Sequence, residues 1–133
     1  MASLFEKLNL KDHQEIVVLN APESFEPELA GLRGVTIRRD LASVPSIQFS
    51  LAFVTRKSEV DALSEPIAAR AKGDAIVWFA YPKGTSKKFK CDFNRDNGWD
   101  VLKSAGFETV RAVAIDEDWS ALRFRRSEYV KTR

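Results

Sequence analysis

The sequence predicts an α/β fold, a three-layer sandwich whose mostly parallel sheet has about six strands. Residues 75–81 form an unbroken apolar run, Ala-Ile-Val-Trp-Phe-Ala-Tyr, which is typical of a parallel strand covered on both faces. Further segments typical of strands, at 15–19, 47–54 and 108–115, alternate with segments of helical spacing, as in α/β proteins. A short acidic turn follows the last of these runs and favours an antiparallel hairpin at the C-terminal end.

Short elements make up the first part of the chain. Residues 4–10 are predicted to form a helix, and the β-branched run at 15–19 a strand that ends at Asn20-Ala21-Pro22. Pro27 can open a short helix, because proline is favoured in the first helical turn. A strand at 35–38 is followed at once by charged residues, which places it near an edge of the sheet.

The middle of the chain contains a strand and the longest predicted helix. Residues 47–54 alternate large with smaller side chains, which predicts a strand with one face formed by Ile47, Phe49, Leu51 and Phe53. Ser58 and Asp61 have the spacing of a capping box at the start of a helix that runs to residue 72. Pro66 interrupts the helical pattern, so we expect a kink or two helical pieces.

The last part of the chain completes the sheet. A long polar segment at 83–97 precedes a helix near Trp99 and a strand at 108–115. The final strand, at 120–126, alternates so that two side chains face inward, Leu122 and Phe124, and two face outward, Arg123 and Arg125. The element order α-β-α-β-β-α-β-α-β-β, with no visible linker, predicts a single Rossmann-like domain over residues 1–133.

Composition excludes several classes of protein. An apolar share of 44% and nine Phe residues argue against intrinsic disorder. Lys and Arg number 21 against 19 Asp and Glu, and the net charge of +2 argues against a nucleic-acid coat or a polybasic membrane binder. A single Cys and a single His exclude a disulfide framework and a multi-cysteine zinc site, and we expect no metal. No apolar run approaches the roughly 20 residues of a membrane helix, and the N-terminus has no signal layout, so we expect a cytoplasmic protein.

Several motifs resemble a family of small bacterial proteins known only as a domain of unknown function. The most specific are Tyr81-Pro82-Lys83 after the central strand and Asp116-x-x-Trp119-Ser120 before the last strand. Further matches span nearly the whole chain: Lys7-Leu8, Val18-Leu19-Asn20-Ala21-Pro22, Val77-Trp78, Gly106-Phe107 and Leu122-Arg123. Gly84 departs from the pattern of many relatives, which carry a second lysine there.

The layout also resembles a shortened class I methyltransferase, in which a parallel core is followed by a helix, a strand and an antiparallel strand. Such enzymes hold S-adenosylmethionine on a glycine-rich loop after the first strand. The corresponding segment here is Leu19-Asn20-Ala21-Pro22-Glu23-Ser24, without glycine. No acidic residue ends the second strand in a clean ribose-binding arrangement, and the nearest is Asp40, after Arg38 and Arg39. The resemblance therefore implies the fold, and we expect no tightly bound cofactor.

The first candidate site lies at the carboxyl ends of the parallel strands, where open α/β sheets bind ligands. These ends carry Asn20 after the first strand and Tyr81-Pro82-Lys83 after the apolar one. If the first, third and fourth strands are neighbours, these groups line one crevice. The competing interpretation is that Asn20 shapes a turn and Lys83 is solvated.

The polar segment at 83–97 is a second candidate, an anion site. It holds five basic residues against two acidic ones, and Ser86 adds a hydroxyl beside Lys87 and Lys88. Phe89 and Phe93 are suited either to stacking on a ligand ring or to tethering the segment to the core.

Three further residues favour structural roles. Trp78 is predicted to lie in the core, and Trp119 to fix the last turn together with Asp116. Cys91 is close to Lys90, whose charge is expected to lower the pKa of the thiol modestly. No base or oxyanion site accompanies this cysteine in the sequence, so a nucleophilic role is not indicated.

The sequence therefore favours a non-catalytic or cofactor-free domain that acts in binding or protein interaction. One alternative is a degenerate methyltransferase-like enzyme that acts on an anionic small molecule at the Asn20/Lys83 crevice. The other is a weak nucleic-acid binder that uses the basic 83–90 loop with three residues of the last strand, Arg123, Arg125 and Arg126. The expected partners are an anionic small molecule or another protein, and neither a membrane nor nucleic acid.

Overall fold

A computed structural model of the protein describes residues 4–10, 14–84, 86, 90–93 and 98–130. Within these ranges the chain forms a six-stranded mixed sheet with helices on both faces. The predicted three-layer α/β fold is confirmed. None of the helices in the described ranges is long and apolar enough to span a membrane.

The order of elements along the chain is the predicted one. The strands are β1 (Glu15–Leu19), β2 (Thr36–Arg38), β3 (Ile47–Phe53), β4 (Ala71–Pro82), β5 (Phe107–Ala114) and β6 (Trp119–Arg126). The helices are α1 (Leu4–Lys7), α2 (Glu26–Ala30), α3 (Lys57–Arg70) and α4 (Asp100–Ser104), with 3-10 turns at Glu23–Phe25 and Ser127–Tyr129.

The strands lie in the spatial order β2-β1-β3-β4-β6-β5. The pairs β1–β2, β1–β3 and β3–β4 are parallel, whereas β6 is antiparallel to both β4 and β5. Among the strands that the structure describes, β6 alone therefore runs against the others. The carboxyl ends of β1, β3 and β4 meet at one edge of the sheet, which we call the carboxyl edge and which Asn20, Val54 and Lys83 follow.

Apolar side chains cover both faces of the sheet. On one face, called here the α3 face, Val77 and Phe79 of β4 pack with residues of α3 and α4. On the opposite face, called here the α1 face, Trp78 packs with Phe5 and Leu8. The Trp78 side chain is fully buried, and its indole N–H donates to the carbonyl oxygen of Leu8 at 2.8 Å. The prediction that β4 is covered on both faces is confirmed.

Helix α3 differs from the prediction at Pro66 and at its start. Pro66 lies inside one continuous helix rather than between two helical pieces, and Ala62, whose carbonyl loses its donor, is exposed to water. The capping residue is not Ser58. Instead, the carboxylate of Glu59 accepts the backbone N–H groups of Thr55 and Arg56, at 2.7 and 3.1 Å.

Strand β3 also departs from simple alternation. Phe49, Leu51 and Phe53 lie on the α1 face, but Ile47 lies on the α3 face. The register between β3 and β4 shifts between Ile47 and Phe49. A local irregularity of this kind turns the preceding side chain to the other face.

Candidate functional site

The carboxyl edge brings the ends of β1 and β4 to the same side of the molecule. β3 lies between these strands and pairs with both, with Leu19 opposite Ala52 and Phe53 opposite Ala80. The predicted adjacency of the three strands is thus confirmed. Asn20 therefore lies level with Ala80, two strand spacings or about 10 Å away, and Lys83 follows three residues further along β4, about another 10 Å.

The turn after β1 has the shape that a glycine would supply. Asn20 adopts a φ of 58°, in the left-handed region that asparagine tolerates better than most residues. Pro22 is extended and leads into the 3-10 turn at Glu23–Phe25. Phe25 is buried and packs on Phe53, with ring centroids 4.9 Å apart. This contact attaches the turn to the α1 face of the sheet.

The end of β2 carries ionic contacts. Arg39 donates two hydrogen bonds to the carboxylate of Glu26, at 2.7 and 3.0 Å, and these bonds lower the pKa of Glu26. Asp40 accepts the hydroxyl of Ser43 at 2.7 Å and its backbone N–H at 3.0 Å. The Ser43 hydroxyl, followed by this N–H, lowers the pKa of the Asp40 carboxyl. Asp40, the acidic residue nearest to a ribose-binding position, therefore already accepts two hydrogen bonds that stabilise a local turn.

A cavity of about 350 Å³ lies at the carboxyl end of β4, within the size range of small-molecule sites. Its walls include Tyr81, Lys83, Ser86, Lys90 and Phe93. Lys83 is half-buried, and within the described residues we find no hydrogen-bond or ion-pair partner for its ammonium group. The charged side chains of this cavity, in the part of the chain that is described, are both cationic. The arrangement therefore favours an anionic ligand.

The backbone around Lys83 is tied to the turn between β5 and β6. The N–H of Lys83 donates to the carbonyl of Asp118 at 2.8 Å, and the hydroxyl of Ser86 donates to the carboxylate of Asp118 at 2.9 Å. Asp116 in turn accepts the N–H groups of Asp118 and Trp119, at 2.8 and 2.9 Å. Asp116 and Trp119 thus shape the turn, as expected. Asp118 connects this turn to the cavity wall through its bonds with Lys83 and Ser86.

Phe93 tethers the far wall of the cavity to the core. Its ring lies 5.1 Å from Trp99 in an edge-on arrangement and 6.0 Å from Tyr81. The second interpretation offered for Phe93 is therefore the observed one. Cys91 lies beside it, and burial raises the pKa of its thiol. The expected lowering by Lys90 was wrong, because desolvation of the thiolate is the largest effect there.

The predicted site residues are brought together only in part. Tyr81, Lys83 and Ser86 line one cavity at the end of β4. Asn20 lies at the same edge of the sheet but at the end of β1, and β3 lies between these two strands. Lys87 and Lys88, like Phe89 and His13, fall outside the described residues. Asp118, which accepts the hydroxyl of Ser86, was not predicted for this site. Asp118 could not be found from sequence spacing, because the pairing of β4 with β6 is what places it beside Ser86.

A second cavity, of about 460 Å³, opens at the opposite edge of the sheet. It is lined by Gln14, Ser46 and Gln48 at the amino ends of β1 and β3. Although larger, it lies at the edge where parallel α/β sheets do not bind their ligands. We therefore regard the cavity beside Lys83 as the candidate site.

Comparison with known proteins gives structural neighbours but no sequence relatives. No protein-family model and no curated protein matches the chain. A putative type 11 methyltransferase from Sulfolobus solfataricus has a TM-score of 0.58 at 8% identity, covering 98% of this chain and 93% of its own. A SAM-dependent methyltransferase from Aquifex aeolicus has a TM-score of 0.57 at 14% identity, covering 92% and 87%. Magnesium protoporphyrin IX methyltransferase from Synechocystis PCC 6803, solved with bound SAM, has a TM-score of 0.56 at 14% identity, covering 93% and 74%.

These likenesses establish that the chain has the α/β Rossmann-like methyltransferase fold. The interpretation of the sequence as a non-catalytic or cofactor-free interaction domain was wrong, because the three structures compared above, which share this fold over nearly the whole chain, are methyltransferases by name. That interpretation relied on the absence of glycine from the turn after β1. Asn20 makes the left-handed turn without one. The alternative of a methyltransferase-like enzyme agrees better with the comparisons.

Proposed function

We propose that the protein is a methyltransferase-like enzyme that acts on an anionic small molecule bound beside Lys83. One observation carries the proposal: a sheet of the methyltransferase type has, at the carboxyl end of β4, a ligand-sized cavity whose described charged groups are Lys83 and Lys90. Ligands of open α/β sheets bind at this edge.

S-adenosylmethionine is the cofactor that this fold implies, and it would supply an electrophilic methyl group. The turn at Asn20 fits it in backbone shape, since the chain makes the left-handed turn that lets a ligand approach. The hydrogen-bonding groups depart from the usual pattern: Pro22 has no N–H, and Asp40 already holds Ser43. Both bonds from Ser43 end on Oδ1 of Asp40, so Asn20 and the other carboxylate oxygen of Asp40 would hold the cofactor, with weak affinity.

The substrate side of the site rests on Lys83. The backbone N–H of Lys83 donates to the carbonyl of Asp118. The side chain that carries the ammonium group therefore extends from a fixed backbone position. Tyr81 and Phe93 provide apolar walls on the α3 face. A charge-assisted contact from Lys83 to a carboxylate or phosphate group is worth about 1.5–3 kcal/mol, roughly 10- to 150-fold in affinity.

The test combines binding and turnover. Inorganic phosphate serves as the anion probe and is titrated at constant ionic strength into the parent, Lys83→Met and a matched control, Lys72→Met, whose lysine lies at the opposite edge of the sheet. With binding followed by the NMR signals of the residues that line the cavity, we expect Lys83→Met to weaken it by at least tenfold and Lys72→Met to leave it unchanged. A Lys87/Lys88 double Met variant should lose less, and an equal or greater loss would move the site onto that loop.

The cofactor is tested by calorimetry and by transfer of a labelled methyl group to a panel of small carboxylates and phosphates. We expect weak, saturable binding of S-adenosylmethionine and labelling of at least one member of the panel. A ligand at a hundredfold excess over its dissociation constant stabilises a protein by roughly 2.7 kcal/mol, so weak binding is measurable as a thermal shift. Absence of both binding and labelling would refute the proposal.

The proposal also includes a cytoplasmic location and membership of the bacterial family that the sequence motifs resemble. The single cysteine supports an environment without structural disulfides. The motifs Tyr81-Pro82-Lys83 and Asp116-x-x-Trp119-Ser120 support the family: the first lies in the wall of the candidate cavity, and Asp116 of the second shapes the neighbouring turn. Fractionation of cells that express the tagged chain would test the location.

A further inference from the structure

The outer part of the α1 face carries a cluster of arginines away from the candidate site. Helix α1 has only four residues and α2 only five, so the helices cover only part of this face. Beside Trp78, β6 presents Arg123, and β5 presents Arg111 directly opposite Arg123. Ala121 and Val113 pack on the α1 face, and the strand period of two places Arg123 and Arg111 on the same face.

Arg125, the third arginine of this cluster, is already paired. Its Nε and Nη2 donate to the two carboxylate oxygens of Asp74, at 2.8 and 2.6 Å. These bonds raise the pKa of Arg125 and lower that of Asp74. Asp74 therefore balances one of the three guanidinium charges.

Arg123 has fewer and weaker hydrogen-bond partners than Arg125 among the described residues. Its Nη1 donates to the side-chain oxygen of Asn9 at 3.3 Å, a long bond to a neutral group. Its Nε is buried and has no hydrogen-bond partner among the described residues. Burial, followed by the charges of Arg125 and Arg111, lowers the pKa of Arg123, and Asp74 opposes this in part.

A guanidinium held in this way needs a further partner. Removing a charged donor from water without a hydrogen bond destabilises the protein, and an orphaned buried group of this kind points to an ion that completes the site. Neighbouring strands place the Cα atoms of Arg111 and Arg123 about 5 Å apart. The oxygens of one tetrahedral anion can therefore reach both side chains, since guanidinium groups bind phosphate in a bidentate manner.

We infer that Arg111 and Arg123 form a phosphate-binding site on the open part of the α1 face, separate from the cavity beside Lys83. The occupant is the phosphate group of a small molecule: the three guanidinium groups outnumber the two carboxylates of this surface, Asp74 and Glu108, the second of which lies opposite Arg125. Asn9 borders the site at the end of α1 and offers an amide to the same anion. Lys83 belongs to the cavity on the α3 face, so the two sites are independent.

The experiment follows the indole N–H signal of Trp78 by NMR while inorganic phosphate is added at constant ionic strength. Trp78 is the neighbour of Arg123 on β4, and the Trp78→Phe variant assigns its signal. We expect a saturable shift that Arg123→Gln and Arg111→Gln each weaken by at least tenfold. Lys83→Met and the exposed Arg33→Gln should titrate like the parent.

Three results would overturn the inference. The first is a parent signal that does not respond, and the second is an equal response to sodium chloride, which indicates screening alone. The third is parental affinity in both arginine variants. Should Arg123→Gln fail to fold, Arg111→Gln decides by itself, because Arg111 is exposed and its removal leaves the core intact.

Discussion

The carboxylate of Asp92 accepts a hydrogen bond from the backbone N–H of Lys57 at 2.7 Å, across 35 residues of chain. Lys57 is the first residue of α3, and the first N–H groups of a helix lack intrahelical partners. Asp92 therefore caps α3 from a distant segment. The same bond fastens residues 90–93, which form one wall of the cavity beside Lys83.

Asp92→Ala should lower the free energy of unfolding by about 1 kcal/mol, the usual cost of losing a helix cap. Urea melts measure this. Asp61→Ala is the matched control, because Asp61 contacts the side chain of Lys57 in an exposed pair one helical turn away, worth less than about 0.5 kcal/mol. Equal losses in the two variants would show that the long-range cap contributes nothing.

Gly98→Ala and Gly106→Ala separate steric overlap from backbone strain. Both glycines have a φ of 96°, which strains any residue with a Cβ atom. At position 98 that atom would lie 2.7 Å from the Cβ of Phe93, whereas at position 106 nothing lies within 4 Å. We expect Gly106→Ala to cost about 1–2 kcal/mol and Gly98→Ala about 1–3 kcal/mol more. Thermal melts of both variants provide the comparison, and identical costs would contradict the contact with Phe93.

Trp78→Ala should cost about 3–5 kcal/mol, because it empties the centre of the core. Trp78→Phe keeps a ring but leaves the buried carbonyl of Leu8 without the indole donor, at a cost of about 1–3 kcal/mol. The two variants are compared by urea denaturation. A loss below about 1 kcal/mol for the alanine variant would mean that β4 is not the central buried strand.

The pair Asp74–Arg125 should make stability depend on acidity. The hydrogen bonds from Arg125 lower the pKa of Asp74 in the folded state, so its contribution is present above the unfolded pKa of about 4 and is lost as the pH falls through the folded value. Asp74→Asn should therefore be less stable than the parent at neutral pH, and the difference should vanish at low pH. Arg125→Gln should reproduce this behaviour in urea melts across the acidic range. A constant difference at all pH values would exclude the ionic explanation.

Much of the fold follows from local pattern. The run at 75–81 predicts a doubly covered strand because every position in it is apolar, and β4 is such a strand. The order of helices and strands follows in the same way, since hydrophobic period distinguishes them. At Pro66 the alternative of two helical pieces was wrong, because local sequence does not show that Ala62, whose carbonyl loses its donor, is exposed to water.

Less of the candidate site can be predicted from local sequence pattern. The sequence by itself determined that Tyr81 and Lys83 leave the end of a buried strand, because apolar character stops there. Only the tertiary structure decided that Asp118 supports Ser86, that Asp92 caps α3 and that Arg123 faces Arg111. These contacts join residues far apart in the chain, and their formation depends on strand order and register. Both arise from the packing of the whole sheet rather than from any one segment.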